Sequence, residues 1–336
     1  MLETNYFRAW LGIAAALVAS SALALIGAAE SAEAAFPGKN GKLAFDSVPP
    51  GQGDSEIVTL SYKPNGGVVP EDPDPPLTDN TAQDSGAAWS PSGSKIAFER
   101  NSELWVMNSD GTKQTRLTTN SVIDSNPTWS PDGKKIAFVS ERDGDLDIWT
   151  MKPVPEGPTN VPQNLTDDSG SGAFDSDPAW SPLLPDNSTR VAFHRNGDIW
   201  TVNPANLAKE QITNEPTGTD SFPNWSPSGR RIAFQSNRNT AAFPNAGGDQ
   251  EIYTIKARPE TPGTGDNEPR RLTDNTARDE APAWSPEGFH IAFMSTRRDN
   301  NLEIWVMSTL SDDNAVRLTN NRGDDEFPDW QRRQRR

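Results

Sequence analysis

Short apolar runs recur along the chain at near-regular intervals, separated by Ser, Pro, Asp, Asn and Gly. An apolar-Ala-Phe triplet ends at Phe45, Phe98, Phe138, Phe193, Phe234 and Phe293. An acidic residue followed by an aliphatic or aromatic run comes next each time: EIVTL, ELWVM, DIWTM, DIWTV, EIYTI and EIWVM. A Leu-Thr or Ile-Thr pair then follows, at Thr78, Thr118, Thr166, Thr213, Thr273 and Thr319. Trp-Ser-Pro recurs at Trp89, Trp129, Trp180, Trp225 and Trp284, and a further Trp stands in FPDWQ at Trp330. Ten of the eleven tryptophans occupy these slots, so the period is the dominant signal in the chain.

Four short apolar runs per unit, parted by turn residues, predict a four-stranded antiparallel blade. We label the strands A (ending in the Trp of Trp-Ser-Pro), B (apolar-Ala-Phe), C (the acidic-led run) and D (Leu-Thr). Ser130-Pro131-Asp132-Gly133 and its relatives link A to B; Pro presets φ and Gly tolerates φ > 0 in such tight turns. The copy with Trp180 has the longer Pro182–Asn187 instead. Alternation along C puts Ile148 and Thr150 on one face and Trp149 and Met151 on the other, and one blade alone cannot cover both, so blades must stack on neighbours. The first copy has no A strand and starts at the B segment Gly41–Phe45, whereas the last copy is a lone A strand, Phe327–Trp330. Joining them predicts an all-β, six-bladed β-propeller of four-stranded antiparallel blades, in which a C-terminal strand completes the N-terminal blade. Closure removes exposed sheet edges.

The best copy is Pro127-Thr128-Trp129-Ser130-Pro131-Asp132-Gly133-Lys134-Lys135-Ile136-Ala137-Phe138, followed by Asp147-Ile148-Trp149. It resembles the TolB-like propeller repeat, found in bacterial TolB and in the propeller domains of prolyl-oligopeptidase and dipeptidyl-peptidase relatives. The resemblance implies a scaffold that binds a protein or peptide on its loop-bearing face, in the cell envelope, with a peptidoglycan-associated lipoprotein as one candidate partner. The alternatives are a carbohydrate- or cell-wall-binding module and a glycan lyase or hydrolase, since one repeat serves many functions. In TolB an α/β domain precedes the propeller; here the repeats start within a few residues of the leader, which puts a role in the Tol–Pal system in doubt.

Before the repeats, Arg8 precedes an Ala/Leu-rich run from Leu11 to Ala29, and Ala32-Glu33-Ala34 has the small-x-small form of a cleavage site. Residues 1–34 therefore read as a signal peptide, with an uncleaved anchor as the rival, residues 35–331 as the propeller and residues 332–336 as a disordered basic tail. A periplasmic or secreted monomer is the expectation, free of the membrane once the leader is removed. With a formal charge of −16 over 336 residues, the protein is a poor match for nucleic acid. There is no Cys, which excludes disulfides, thiolate metal sites and a catalytic thiol. A G-x-S-x-G elbow is missing and the two histidines, His194 and His290, stand far apart, so no catalytic set is assigned.

An Asp lies five residues before each A-strand Trp: Asp84, Asp124, Asp175, Asp220, Asp279 and Asp325. An Arg follows the B strand in five copies: Arg100, Arg142, Arg195, Arg238 and Arg297. These residues offer either an acidic ring at the channel mouth that meets a partner, or structural Asp–Arg pairs. On the second reading Asp124→Asn costs only modestly. The acidic residue opening each C strand recurs too faithfully for an asymmetric active site. The B–C segment from Ser236 to Gln250 carries Phe243, a candidate anchor for a peptide or sugar. No cofactor is implied. Asp143, Asp145 and Asp147 have oxygen-ligand spacing for Ca2+, but they lack the rest of an EF-hand loop and fit a solvated acidic hairpin as well.

Overall fold

A computed structural model describes residues 37–48, 53–62, 74–168, 172–214, 217–239, 245, 247–258, 268–298 and 301–333. The expected leader and Phe243 lie outside the described residues. Every regular element within them is a β-strand, and no helix of the described residues is long and apolar enough to cross a membrane.

The strands form six antiparallel sheets, named below by their A-strand Trp. The Trp129 blade is representative: A is Asp124–Trp129, B Ile136–Ser140, C Asp147–Met151 and D Gln163–Asn164. Its A–B turn is closed by Gly133 N–H donating to the Ser130 carbonyl (2.8 Å), with Gly133 at φ +68°. The Trp330 blade joins the two ends of the chain: Glu56–Ser61 pairs with Lys39–Ser47, which pairs with Asp325–Arg333. Its Leu-Thr segment makes no ladder strand but runs alongside, with Leu77 N–H donating to the Ile57 carbonyl (2.8 Å). The C-terminal strand continues to Arg333, which faces Lys39, so Arg332 and Arg333 are ordered strand rather than tail.

The apolar core is a set of six slabs, one per joint between blades, as expected when no blade can shield its own faces. Leu104 and Val106 pack on Trp129, Ile136 and Phe138 across one joint. Leu43, Phe45 and Val58 pack on Ala283, Ala292 and Ile304 across another, and Ala44 and Ile57 on Trp89, Ile96 and Phe98 across the next. All six B-strand phenylalanines are fully buried. The C-strand tryptophans Trp105, Trp149 and Trp200 are only half-buried, whereas Tyr253 and Trp305 in the same slot are buried. Leu184, in the long turn of the Trp180 blade, tucks under the next blade's turn, where a Cβ on Gly229 would lie 2.5 Å from its Cδ2.

The repeat's other invariants are structural. In every blade the Leu-Thr or Ile-Thr hydroxyl accepts the second C-strand N–H at 2.8–2.9 Å, as from Ile148 to Thr166 and from Ile252 to Thr273. The same hydroxyl donates to the acidic residue that opens the C strand, as from Thr118 to Glu103 and from Thr319 to Glu303, both 2.6 Å.

The six joints alternate. Indole N–H groups of Trp129, Trp225 and Trp330 donate to the carbonyls of Ala88, Ala179 and Ala283 at 3.0–3.1 Å. Those of Trp89, Trp180 and Trp284 are buried and find no acceptor among the described residues. At these three joints a polar side chain of the preceding blade instead accepts the Trp backbone N–H: Asp329 for Trp89 (2.7 Å), Thr128 for Trp180 (3.4 Å) and Asn224 for Trp284 (2.9 Å).

Candidate functional site

The channel wall is made by the A strands, and all six carry the same irregularity. Two residues after the signature Asp the ladder shifts register, as between Ser125 and Thr128, and the residue there has positive φ: Gly86, Asn126, Asp177, Phe222, Ala281 and Phe327, at 48–63°. Proline follows in five of the six. Asn and Asp tolerate this left-handed region, whereas Phe222, Ala281 and Phe327 hold it at a cost on the order of 1–3 kcal/mol each. The bulge turns the strand so that these residues border a cavity of about 190 Å³ on the axis, lined also by Glu99, Thr128, Asn224 and Asp329.

Around the cavity the six-fold pattern breaks down into individual chemistry. Phe222 and Phe327 stack at 5.7 Å between centroids with 23° between planes, in the room left by the small Ala281 of the intervening blade. Glu99, Asp177 and Asp329 supply carboxyl groups, and no basic side chain lines the cavity. Burial pushes the pKa of Glu99 and Asp177 up, and that of Asp329 up to about 7. Desolvation disfavours the ionised form, opposed in part at Asp177 by the nearby His194. Beside Asp177, Ser176 Oγ lies 3.0 Å from Asp177 Oδ2 and 3.1 Å from His194 Nδ1. His194 Nε2 accepts the Gly197 N–H at 2.9 Å, which leaves the ring proton on Nδ1 to face the serine. The serine proton therefore goes to the aspartate, and His194 in this tautomer has no free lone pair with which to activate Ser176.

The residues singled out by the repeat sit just behind this wall. Asp84, Asp124, Asp175, Asp220, Asp279 and Asp325 open the A strands and are all fully buried. In five blades the Asp is gripped by the Arg at or just past the end of the B strand: Arg100 by Nε and Nη2, both 2.6 Å, and Arg195 at 2.7 and 2.5 Å. Arg142 and Arg238 reach both oxygens of Asp124 and Asp220 through Nη2, and Arg297 binds Asp279. Each guanidinium also lies over the B-strand Phe and the C-strand aromatic, as Arg100 does over Phe98 (5.2 Å) and Trp105 (4.8 Å). Asp325 alone has no Arg; Asn321 donates to both its oxygens instead, at 2.8 and 2.7 Å. These carboxylates are occupied within the fold, and those that reach the cavity are Glu99, Asp177 and Asp329. Asp143, Asp145 and Asp147 do converge, with one carboxylate oxygen from each within 4.8 Å of the others. The Asn164 amide bridges Asp143 and Asp147 at 2.7 Å each.

On the face where the A strands start, Ile123 and Phe174 stand 42% and 50% exposed immediately before Asp124 and Asp175. Their counterparts in the other blades are Gln83, Thr219, Arg278 and Asp324, so this apolar step belongs to two neighbouring blades.

Residues 76–164 match the TolB beta propeller domain family. Those residues carry the TolB-type repeat within a six-bladed β-propeller fold. Among solved structures, TolB from Acinetobacter baumannii aligns with a TM-score of 0.65 at 19% identity, covering 87% of this chain and 66% of that one. A putative TolB from Agrobacterium tumefaciens gives 0.58 at 17%, covering 86% and 91%. Oligogalacturonate lyase from Vibrio parahaemolyticus gives 0.51 at 14%, covering 86% and 78%. At such identities the likeness is one of fold. This chain spans just under two thirds of the length of the Acinetobacter TolB chain.

Proposed function

We propose that this TolB-like propeller is an exported, periplasmic or secreted scaffold that binds a protein or peptide partner at the channel mouth on its loop-bearing face. The observation that carries the reading is the cavity behind the six bulges. Its backbone strain, its Phe222–Phe327 stack and its buried carboxyl groups are all concentrated where a ligand would enter. A partner that presents a cationic side chain to Glu99, Asp177 and Asp329, and an apolar one to Ile123 and Phe174, meets both halves of that face. Ile123 and Phe174 are large apolar side chains about half exposed, which suits a contact surface. A photocrosslinking residue at position 123 or 174, in cells, is expected to trap a discrete protein adduct. The same residue at Phe289, which is 57% exposed in an A–B turn on the opposite face, is expected to trap none. Adducts from Phe289 alone, or release of sugar from envelope glycans by the purified protein, would overturn the proposal.

A further inference from the structure

Five of the six blades are built from continuous chain, and the sixth is made where the two ends meet. We propose that this closing seam is a pH-responsive latch, held shut while its carboxyl groups carry protons and loosened as they lose them.

The Asp–Arg clamp that ties A to B in the other five blades is missing here, and the sequence holds no Lys or Arg between Lys42 and Lys63 to restore it. In its place the seam collects acids. Asp325 is fully buried and is held by the Asn321 amide. Asp46, 2% exposed, faces Glu326 directly across the ladder. One Asp46 oxygen accepts the Gly86 N–H of the next blade at 2.9 Å, and the other is buried with no partner. Asp329 accepts the Trp89 N–H at 2.7 Å. Asp46 and Asp329 therefore hold the closing blade to its neighbour through carboxyl groups set in poorly solvated positions.

Among the described residues no cation bonds to any of them. The charged groups facing Asp46 are Glu326 and Glu99. Glu326 meets Asp324, Glu280 and Arg278, but Arg278 is committed to Glu280 through both oxygens at 2.8 Å. Asp325 faces Glu303, whose own partner is Arg317 at 2.5 Å, together with the neutral Ser47 and Thr319. Asp329 meets only the backbone N–H groups of Trp89 and Trp330. Burial accordingly raises all four, Asp46 and Glu326 above their ordinary values, Asp325 to about 6 and Asp329 to about 7. A carboxyl whose pKa is raised by folding contributes its stability below the ordinary carboxyl range, and that contribution is lost as pH rises through the folded value. For Asp325 alone, linkage gives about a tenfold rise in seam opening between pH 5 and pH 8.

Hydrogen exchange on the full chain tests this, with rates divided by the unstructured-peptide rate at each pH. Protection of residues 39–47 and 325–333 is expected to fall by about tenfold or more from pH 5 to pH 8, ahead of the corresponding A and B strands of the other blades. Asp46→Asn and Asp325→Asn, which mimic the protonated groups, are expected to flatten that dependence. Asp124→Asn, in an arginine-clamped blade, is expected to leave it unchanged. Protection that is flat or rises with pH, that falls equally in all blades, or that keeps the wild-type slope in both seam variants would overturn the latch.

Discussion

Replacing Trp129 by Phe and Trp89 by Phe removes the same atoms from two positions that are each 2% exposed. The loss of apolar area and the void left behind are therefore matched, and what differs is the indole N–H. In Trp129→Phe a 3.0 Å hydrogen bond to the Ala88 carbonyl disappears and leaves that carbonyl without its donor. In Trp89→Phe a buried donor with no acceptor is removed, which relieves a desolvation penalty. A net hydrogen bond is worth about 1 kcal/mol and an unsatisfied buried group costs about 1–3 kcal/mol, so Trp129→Phe should be the more damaging by roughly 2 kcal/mol. For a domain of this size that difference is about 3 °C in melting temperature. Urea and thermal unfolding followed by far-ultraviolet circular dichroism would measure it. The pairs Trp225/Trp180 and Trp330/Trp284 repeat the experiment at the other alternating joints, with the same sign expected. Equal losses within the pairs, or a larger loss for Trp89→Phe, would refute the alternation of joints.

Other consequences are as direct. Gly93 and Gly133 occupy equivalent turns with φ of +65° and +68°, but a Cβ would meet the Arg332 carbonyl oxygen at 2.4 Å in the first and nothing closer than 3.8 Å in the second. Gly93→Ala should therefore destabilise by at least ~1 kcal/mol more than Gly133→Ala in chemical denaturation, the shared left-handed strain cancelling. Asp220→Asn should cost about 3–5 kcal/mol, because Arg238 is 3% exposed and, among the described residues, its guanidinium otherwise hydrogen-bonds only the Ser236 hydroxyl. Asp124→Asn should cost less, since Arg142 keeps Glu156 at 2.7 Å; equal unfolding midpoints for the two variants would count against this reading.

The ring was legible in the sequence because each of its requirements is local and is repeated six times. The Phe, Trp, Thr and acidic slots recur with fixed spacing because every joint needs the same slab and every Leu-Thr hydroxyl bonds the same C-strand N–H. The orphan A strand at Trp330 disclosed the closure for the same reason. The Asp–Arg spacing was visible as well, but its meaning depended on depth: nothing in the spacing distinguishes a ring of acids offered to a ligand from one buried under guanidinium groups. The cavity was hidden, because its residues are departures from the repeat. Glu99, Asp177 and Asp329 occupy slots held elsewhere by Val139, Asn126 and Ala88. One signal was available: the Pro that follows Asn126, Asp177, Phe222, Ala281 and Phe327 marks a break in strand geometry that a straight A strand has no use for.

That contrast separates the two kinds of work the chain performs. Positions that hold the ring must satisfy six nearly identical joints, so any residue departing from the pattern there weakens a blade unless something local compensates. Positions on the axial wall face a cavity instead of a neighbouring sheet, and can differ blade by blade without disturbing the slabs. The charges follow the same division: in five blades the Asp behind the wall carries its own arginine, and where a carboxyl group enters the wall it has none. The seam is the one place where both conditions meet, since Asp46 and Asp329 serve a joint and yet lack a counter-charge. A cationic partner residue bound at Asp329 would neutralise one of the groups on which closure depends. Partner binding at the mouth would then favour the ionised form of Asp329 and draw its protonation to lower pH, so that association should become tighter as pH rises from 5 to 8 while the unliganded seam loosens. Partner affinity that weakened over that range would exclude Asp329 from the contact.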